Sequence, residues 1–134
     1  MNEFCRFFKY SGSSACFSSS SDNATTLYHE TDADCARSIL QSQTFKCGAD
    51  GLVGGGIYFA ASAADTGHKA HRRGVLLKAR VNLGRIKTVE HGPEAGVNAR
   101  TVRAEGYDSV KINRHGGTEY CVYDSSRVTN IERA

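Results

Sequence analysis

No Cys-x-x-Cys pair occurs in this sequence, and the cysteines are odd in number, five in 134 residues (Cys5, Cys16, Cys35, Cys47 and Cys121). That pattern excludes a disulfide scaffold and a zinc module built on paired cysteines. His68 and His71 stand three residues apart, but without further ligands at metal spacing they leave no metal site expected. Long apolar runs are missing too, so no membrane association is expected. The first residues lack the apolar stretch of a signal peptide, which makes a reducing compartment, cytoplasmic or nuclear, the expected setting. There is no internal repeat, and nothing suggests assembly beyond a monomer. Charge of one sign is scarce: the net value of +3 does not by itself mark a nucleic-acid binder. It suits a chain that receives an anionic ligand such as a pyrophosphate. The most basic stretch, residues 68–73, is short and reads as a solvated face.

What is present fits one domain with one core: 40% hydrophobic and 23% charged residues in 134. Residues 1–24 differ in composition from the rest and are expected to form an extension. Phe4, Phe7 and Phe8 suit a short strand there, and the serine- and glycine-rich run 11–23 suits a linker. The folded domain is expected over residues 25–134. Residues 25–30 (TTLYHE) mix β-branched and aromatic side chains as strands do. Thr31 and Asp34 have capping-box spacing, opening a helix in which Ala36, Ile39 and Leu40 share a face. Five glycines in 46–56 make that stretch a loop, followed by a short strand at 57–61. A helix is expected over 62–72 with Ser62 as its cap, then an interior strand at 74–83 and another at 85–89. Pro93, the single proline, suits the first position of a helix reaching Glu105 and stopped by Gly106. Strands at 108–112, 119–123 and 128–131 complete an α+β pattern without regular β-α-β alternation.

Three polar side chains fall at strand–loop boundaries, where binding groups are commonly presented: His29, Tyr58 and Glu119. Taken singly, each has an ordinary structural explanation. Their surroundings, however, form an ordered series: His29-Glu30-Thr31; Gly54-Gly55-Gly56-Ile57-Tyr58-Phe59-Ala60; Tyr107-Asp108-Ser109-Val110; and Glu119-Tyr120-Cys121-Val122-Tyr123-Asp124. The series resembles the catalytic domain of the poly(ADP-ribose) polymerase (PARP) family over residues 25–131. The glycine–tyrosine segment and the final strand are its specific parts.

The resemblance implies an ADP-ribosyltransferase fold of two packed mixed or antiparallel sheets with short flanking helices. It further implies NAD as substrate, cleavage of the nicotinamide–ribose bond, and transfer of ADP-ribose to a protein or nucleic-acid acceptor. His29 would bond the adenosine-side ribose. The Glu30 main chain and the Thr31 hydroxyl would hold the carboxamide. Tyr58 would lie under the nicotinamide ring, with Ala60 and Thr66 lining the pocket. Glu119 would accept from the nicotinamide-ribose 2′-hydroxyl and stabilise the oxocarbenium-like transition state.

Two positions depart from the family pattern. Glu30 stands where glycine is usual, so its side chain must turn away from the pocket. Lys69 takes the strict place of a second stacking tyrosine, with His68 the residue expected to approach the ring face. The stretches 84–106 and 109–119 are short, and no regulatory helical domain precedes the strands, which together favour single-unit or short-chain transfer. NAD hydrolysis needs the same residues. The alternative of a different class is a PARP-like module that binds NAD, ADP-ribose or a protein without transfer.

Overall fold

The computed structural model describes residues 23–68, 74–90 and 94–134. The expected strand near Phe4–Phe8 and the linker up to residue 22 lie outside these, as do Lys69 and Pro93. The first strand, β1 (Ala24–Thr31), begins one residue before the expected domain start. Helix α1 (Ala33–Ser42) follows at once, capped by Asp32, whose carboxylate accepts from the Cys35 N–H at 2.7 Å. The cap is therefore Asp32 and not Thr31. Thr31 is still extended, and a cap must be the last non-helical residue before the first turn.

β2 (Ile57–Ala60) leads into a 3₁₀ helix at Ala63–His68. A longer helix over 62–72 was expected; within the described residues it is this 3₁₀ segment, closed by an Asp65 N–H to Ser62 carbonyl bond of 3.2 Å. Gly67 disfavours a longer regular helix there. β3 (Val75–Asn82) and β4 (Ile86–Glu90) come next. Helix α2 (Ala99–Ala104) starts later than proline placement suggested, because Asn98 and Thr101 form a reciprocal capping box. The chain closes with β5 (Ser109–Arg114), β6 (Gly117–Val122), a 3₁₀ turn at Ser125–Arg127 and β7 (Val128–Arg133).

The seven strands form one sheet in the order β4-β5-β6-β2-β1-β3-β7. Only β4 and β5 run parallel, joined through α2; every other pairing is antiparallel. The α+β class stands, but the expectation of two sheets is corrected to one. Between β1 and β2 the ladder has a single register pair, Tyr28 with Ala60. By comparison, β1 and β3 are in register over all eight residues from Ala24 to Thr31.

The sheet is buried on both faces, and the core on the α1 side draws Ile57 and Phe59 from β2 and Val122 from β6 as well as residues of β1 and β3. On β1 and β3 the inward residues are Leu27, Leu77, Ala79 and Val81, which pack with Ala36 of α1, Phe45 and Phe59. On β5 and β6 they are Val110, Ile112 and Cys121, which pack with Val53 of the glycine loop and Val102 of α2. Paired residues share a face, so Tyr28, Ala60, Glu119 and Ile112 make one cross-strand row on the α2 side. The core on the α2 side lies beyond the β1–β2 seam, while the core on the α1 side continues across it through Ile57, Phe59 and Val122.

Candidate active site

Main-chain direction at the seam follows from the ladders on either side of it. In an antiparallel sheet the N–H and C=O of one residue point to the same neighbour. The Leu76 carbonyl accepts from the Ala134 N–H at 2.9 Å on the outer flank of β3. Leu76 is the register partner of Glu30, so the main-chain groups of Glu30 face away from β3 and toward β2. On the other side, the Ala61 N–H donates to the Thr118 carbonyl at 3.0 Å, which turns Ala60 and Tyr58 toward β1. The next rung beyond Tyr28–Ala60 would set Glu30 against Tyr58, but the ladder stops before it.

His29 fills that gap from the α1 side. Its Nδ1 lies 2.8 Å from the Tyr58 carbonyl. Because a carbonyl only accepts, Nδ1 carries the proton and the neutral ring presents Nε2 as an acceptor. The imidazole packs edge-on against Phe45 and Phe59, with centroids 5.0 and 5.9 Å away. Burial holds its pKa below the ordinary value, partly opposed by the Tyr58 carbonyl.

The Tyr58 ring is on the α2 side of β2, and its hydroxyl is committed to the glycine loop. It donates to the Gly54 carbonyl and accepts from the Val53 N–H at 3.0 Å. A Cβ at Gly51 would strike the phenol, so glycine there lets the loop lie against the ring. Burial foremost, then the neighbouring Cys121, pushes the Tyr58 phenol pKa far up, and it stays protonated.

Glu119 pairs with Ala60 on β2, is only 6% exposed, and shares the α2 face with Tyr58 and Cys121. Its Oε1 is 3.1 Å from Nη1 of Arg114, at the end of β5. Arg114 and Gly117 are register partners, so Arg114 and Glu119 form a diagonal cross-strand pair on one face.

The remaining expected positions divide. The Glu30 carboxylate accepts from the Gly74 N–H at 3.2 Å, on the flank of β1 opposite the seam. Thr31 is buried at the end of β1 and, with Asp32 as cap, has no capping duty. Thr66 is buried in the 3₁₀ helix and donates to the Ala63 carbonyl at 2.9 Å, an arrangement that uses its proton and keeps its lone pairs as acceptors. Ala60 is buried between Tyr28 and Glu119. The His68 side chain lies outside the described residues.

The structure thus brings Tyr58, Ala60 and Glu119 onto one face, while His29 reaches the same seam from the other. Sequence reasoning missed Arg114 and Tyr123. Arg114 was detectable from the hairpin: Gly116-Gly117 mark a tight turn, and a tight turn sets Arg114 diagonal to Glu119. Tyr123 donates to the Val53 carbonyl at 2.7 Å and anchors the glycine loop beside Tyr58; nothing local in the sequence signals that contact. Among the described residues no group of three or more His, Cys, Asp or Glu is placed to hold a metal ion. No helix among them is long and apolar enough to cross a membrane. No family model matches the chain, and no curated protein matches it.

Proposed function

We propose that this chain is an NAD-dependent ADP-ribosyltransferase of PARP-like fold that cleaves the nicotinamide–ribose bond and transfers single or short ADP-ribose units. The observation that carries the reading is the meeting of three motifs far apart in sequence, around His29, Tyr58 and Glu119, on the adjacent strands β1, β2 and β6. They meet where the sheet is held by one rung.

NAD lies along the seam in this reading. The Glu30 N–H and C=O face β2 and take the carboxamide, as a missing ladder rung would. Thr66 accepts from the carboxamide N–H₂, and the Tyr58 ring, fixed by the glycine loop, supports the nicotinamide. Neutral His29 accepts a ribose hydroxyl at Nε2. His29 and Glu119 reach the seam from opposite sides, which suits groups that hold the two different riboses of one dinucleotide.

In the reaction the C1′–N bond to nicotinamide breaks, and its electron pair leaves with nicotinamide. The ribose gains positive charge, which the Glu119 carboxylate stabilises through the 2′-hydroxyl. The acceptor nucleophile, a protein side chain or a nucleic-acid end, bonds to C1′ and loses its proton to solvent. A charge-assisted hydrogen bond of this kind contributes about 1.5–3 kcal/mol, and more in a water-poor cleft.

Glu119→Gln tests the reading. It keeps the size and removes the charge, so nicotinamide release should fall by roughly one to two orders of magnitude, about 1.4–3 kcal/mol. NAD affinity, measured separately by thermal shift, should change much less. Equal turnover in both proteins overturns the role of Glu119. A wild type that binds NAD but releases no nicotinamide makes the domain a binding module.

A further inference from the structure

We propose that Arg114 is a positioning residue for Glu119: its guanidinium holds the carboxylate charged and aimed at the seam. The proposal rests on the transferase reading for its catalytic consequence, and on the hairpin geometry alone for the pairing.

The hairpin fixes both partners. Arg114 ends β5 and Gly117 opens β6, with only His115 and Gly116 between them. Glu119, two residues into β6, therefore meets Arg114 on one face, at 3.1 Å. The Arg114 side chain is partly open to solvent, whereas that of Glu119 is almost wholly enclosed. A carboxylate so enclosed requires compensation for lost water.

Arg114 supplies such compensation at 3.1 Å. Tyr58 projects from β2 and Cys121 from β6; neither bears positive charge, and both feel the Glu119 charge as one that disfavours their own ionisation. Asp65, from the 3₁₀ helix, brings a second carboxylate to the hairpin. Gly117 sits at φ +131, and a Cβ there would strike the Asp65 carboxylate, so glycine is what admits this close approach. Arg114 is thus a cation set beside an enclosed carboxylate, at a hairpin that a second carboxylate also approaches. Removing it takes away the charge at 3.1 Å from an enclosed carboxylate, which favours protonation of Glu119. A protonated Glu119 cannot stabilise an oxocarbenium-like ribose.

The experiment compares wild type, Arg114→Gln and Arg114→Lys in two measurements. The first is a carbon-13 NMR titration of the Glu119 side-chain carboxyl in the protein without NAD. The midpoint should lie about one pH unit or more higher in Arg114→Gln than in wild type, with Arg114→Lys close to wild type because it retains the charge. The second is the pH profile of nicotinamide release. In Arg114→Gln, kcat at neutral pH should drop about tenfold or more and recover as pH rises, with KM for NAD changed much less. An unchanged Glu119 midpoint in Arg114→Gln overturns the proposal, even if activity falls. A shifted midpoint in a protein whose wild type releases no nicotinamide at any pH keeps the pairing and rejects the transferase reading instead. Arg114→Lys provides the check on folding, since loss of structure in Arg114→Gln alone would leave its charge-retaining counterpart to show a wild-type midpoint; a Lys variant that is folded yet titrates differently from wild type also overturns the proposal.

Discussion

His29 carries its imidazole between two phenylalanines with Nδ1 committed to a carbonyl, and that environment has a pH consequence. Burial depresses the folded-state pKa below the ordinary 6.5. As pH falls through about 6.5 the unfolded chain takes up a proton that the folded chain still refuses. The stabilisation is therefore complete above that value and is lost as pH falls toward the depressed one. In thermal denaturation between pH 7.5 and 5, wild type should lose stability as pH falls, by at most ~1.4 kcal/mol per pH unit from this group. His29→Asn keeps an N–H near the Tyr58 carbonyl and cannot titrate, so its slope should be shallower. Parallel slopes for the two proteins would show that His29 does not titrate as placed.

At the scale of elements, the glycine loop is ordered by the side chains around it. Two tyrosine hydroxyls, from β2 and from the end of β6, converge on Val53 and Gly54. Tyr58 thus has two separable duties, a ring against the seam and a hydroxyl that anchors the loop. Tyr58→Phe keeps the first and removes the second. Losing both bonds should cost about 1–3 kcal/mol in urea denaturation, and limited proteolysis should cut within residues 48–56 faster than in wild type. NAD affinity should weaken along with the loop. Wild-type affinity in a variant whose loop is readily cut would separate the loop anchor from ligand binding.

The whole molecule is two strand ladders joined by one rung, Tyr28 with Ala60, and by the α1-side core, which crosses the seam through Ile57, Phe59 and Val122. With only one rung between β1 and β2, the seam is the line along which backbone protection is weakest. Native-state hydrogen exchange should resolve two protected groups: amides of β1, β3 and β7 in one, and those of β4, β5 and β6 in the other. The Glu30 N–H, facing the seam, should exchange faster than amides inside either half and slow when NAD is added. A single exchange free energy across all strands would contradict the division. No slowing at Glu30 with saturating NAD would place the ligand elsewhere.

Local chemistry determined much of this protein in advance. Alternation and β-branching located the strands; clustered glycines located the loop before Tyr58; and the motif order singled out His29, Tyr58 and Glu119. These features need only neighbours in sequence, and the α+β class follows from them. Sequence was weaker where two local signals competed. Thr31 and Asp34 have capping-box spacing, but β1 keeps Thr31 extended and the cap is Asp32; Asn98 set the start of α2, and not Pro93, because its side chain exchanges bonds with Thr101. Only the tertiary structure decided that the strands make one sheet, because that turns on a single pairing between residues 32 positions apart, Tyr28 and Ala60. It also decided that His29 and Glu119 come to the seam from opposite sides. Arg114 acquired its place beside Glu119 the same way, since facing and distance across strands are properties of register, which no stretch of chain specifies alone.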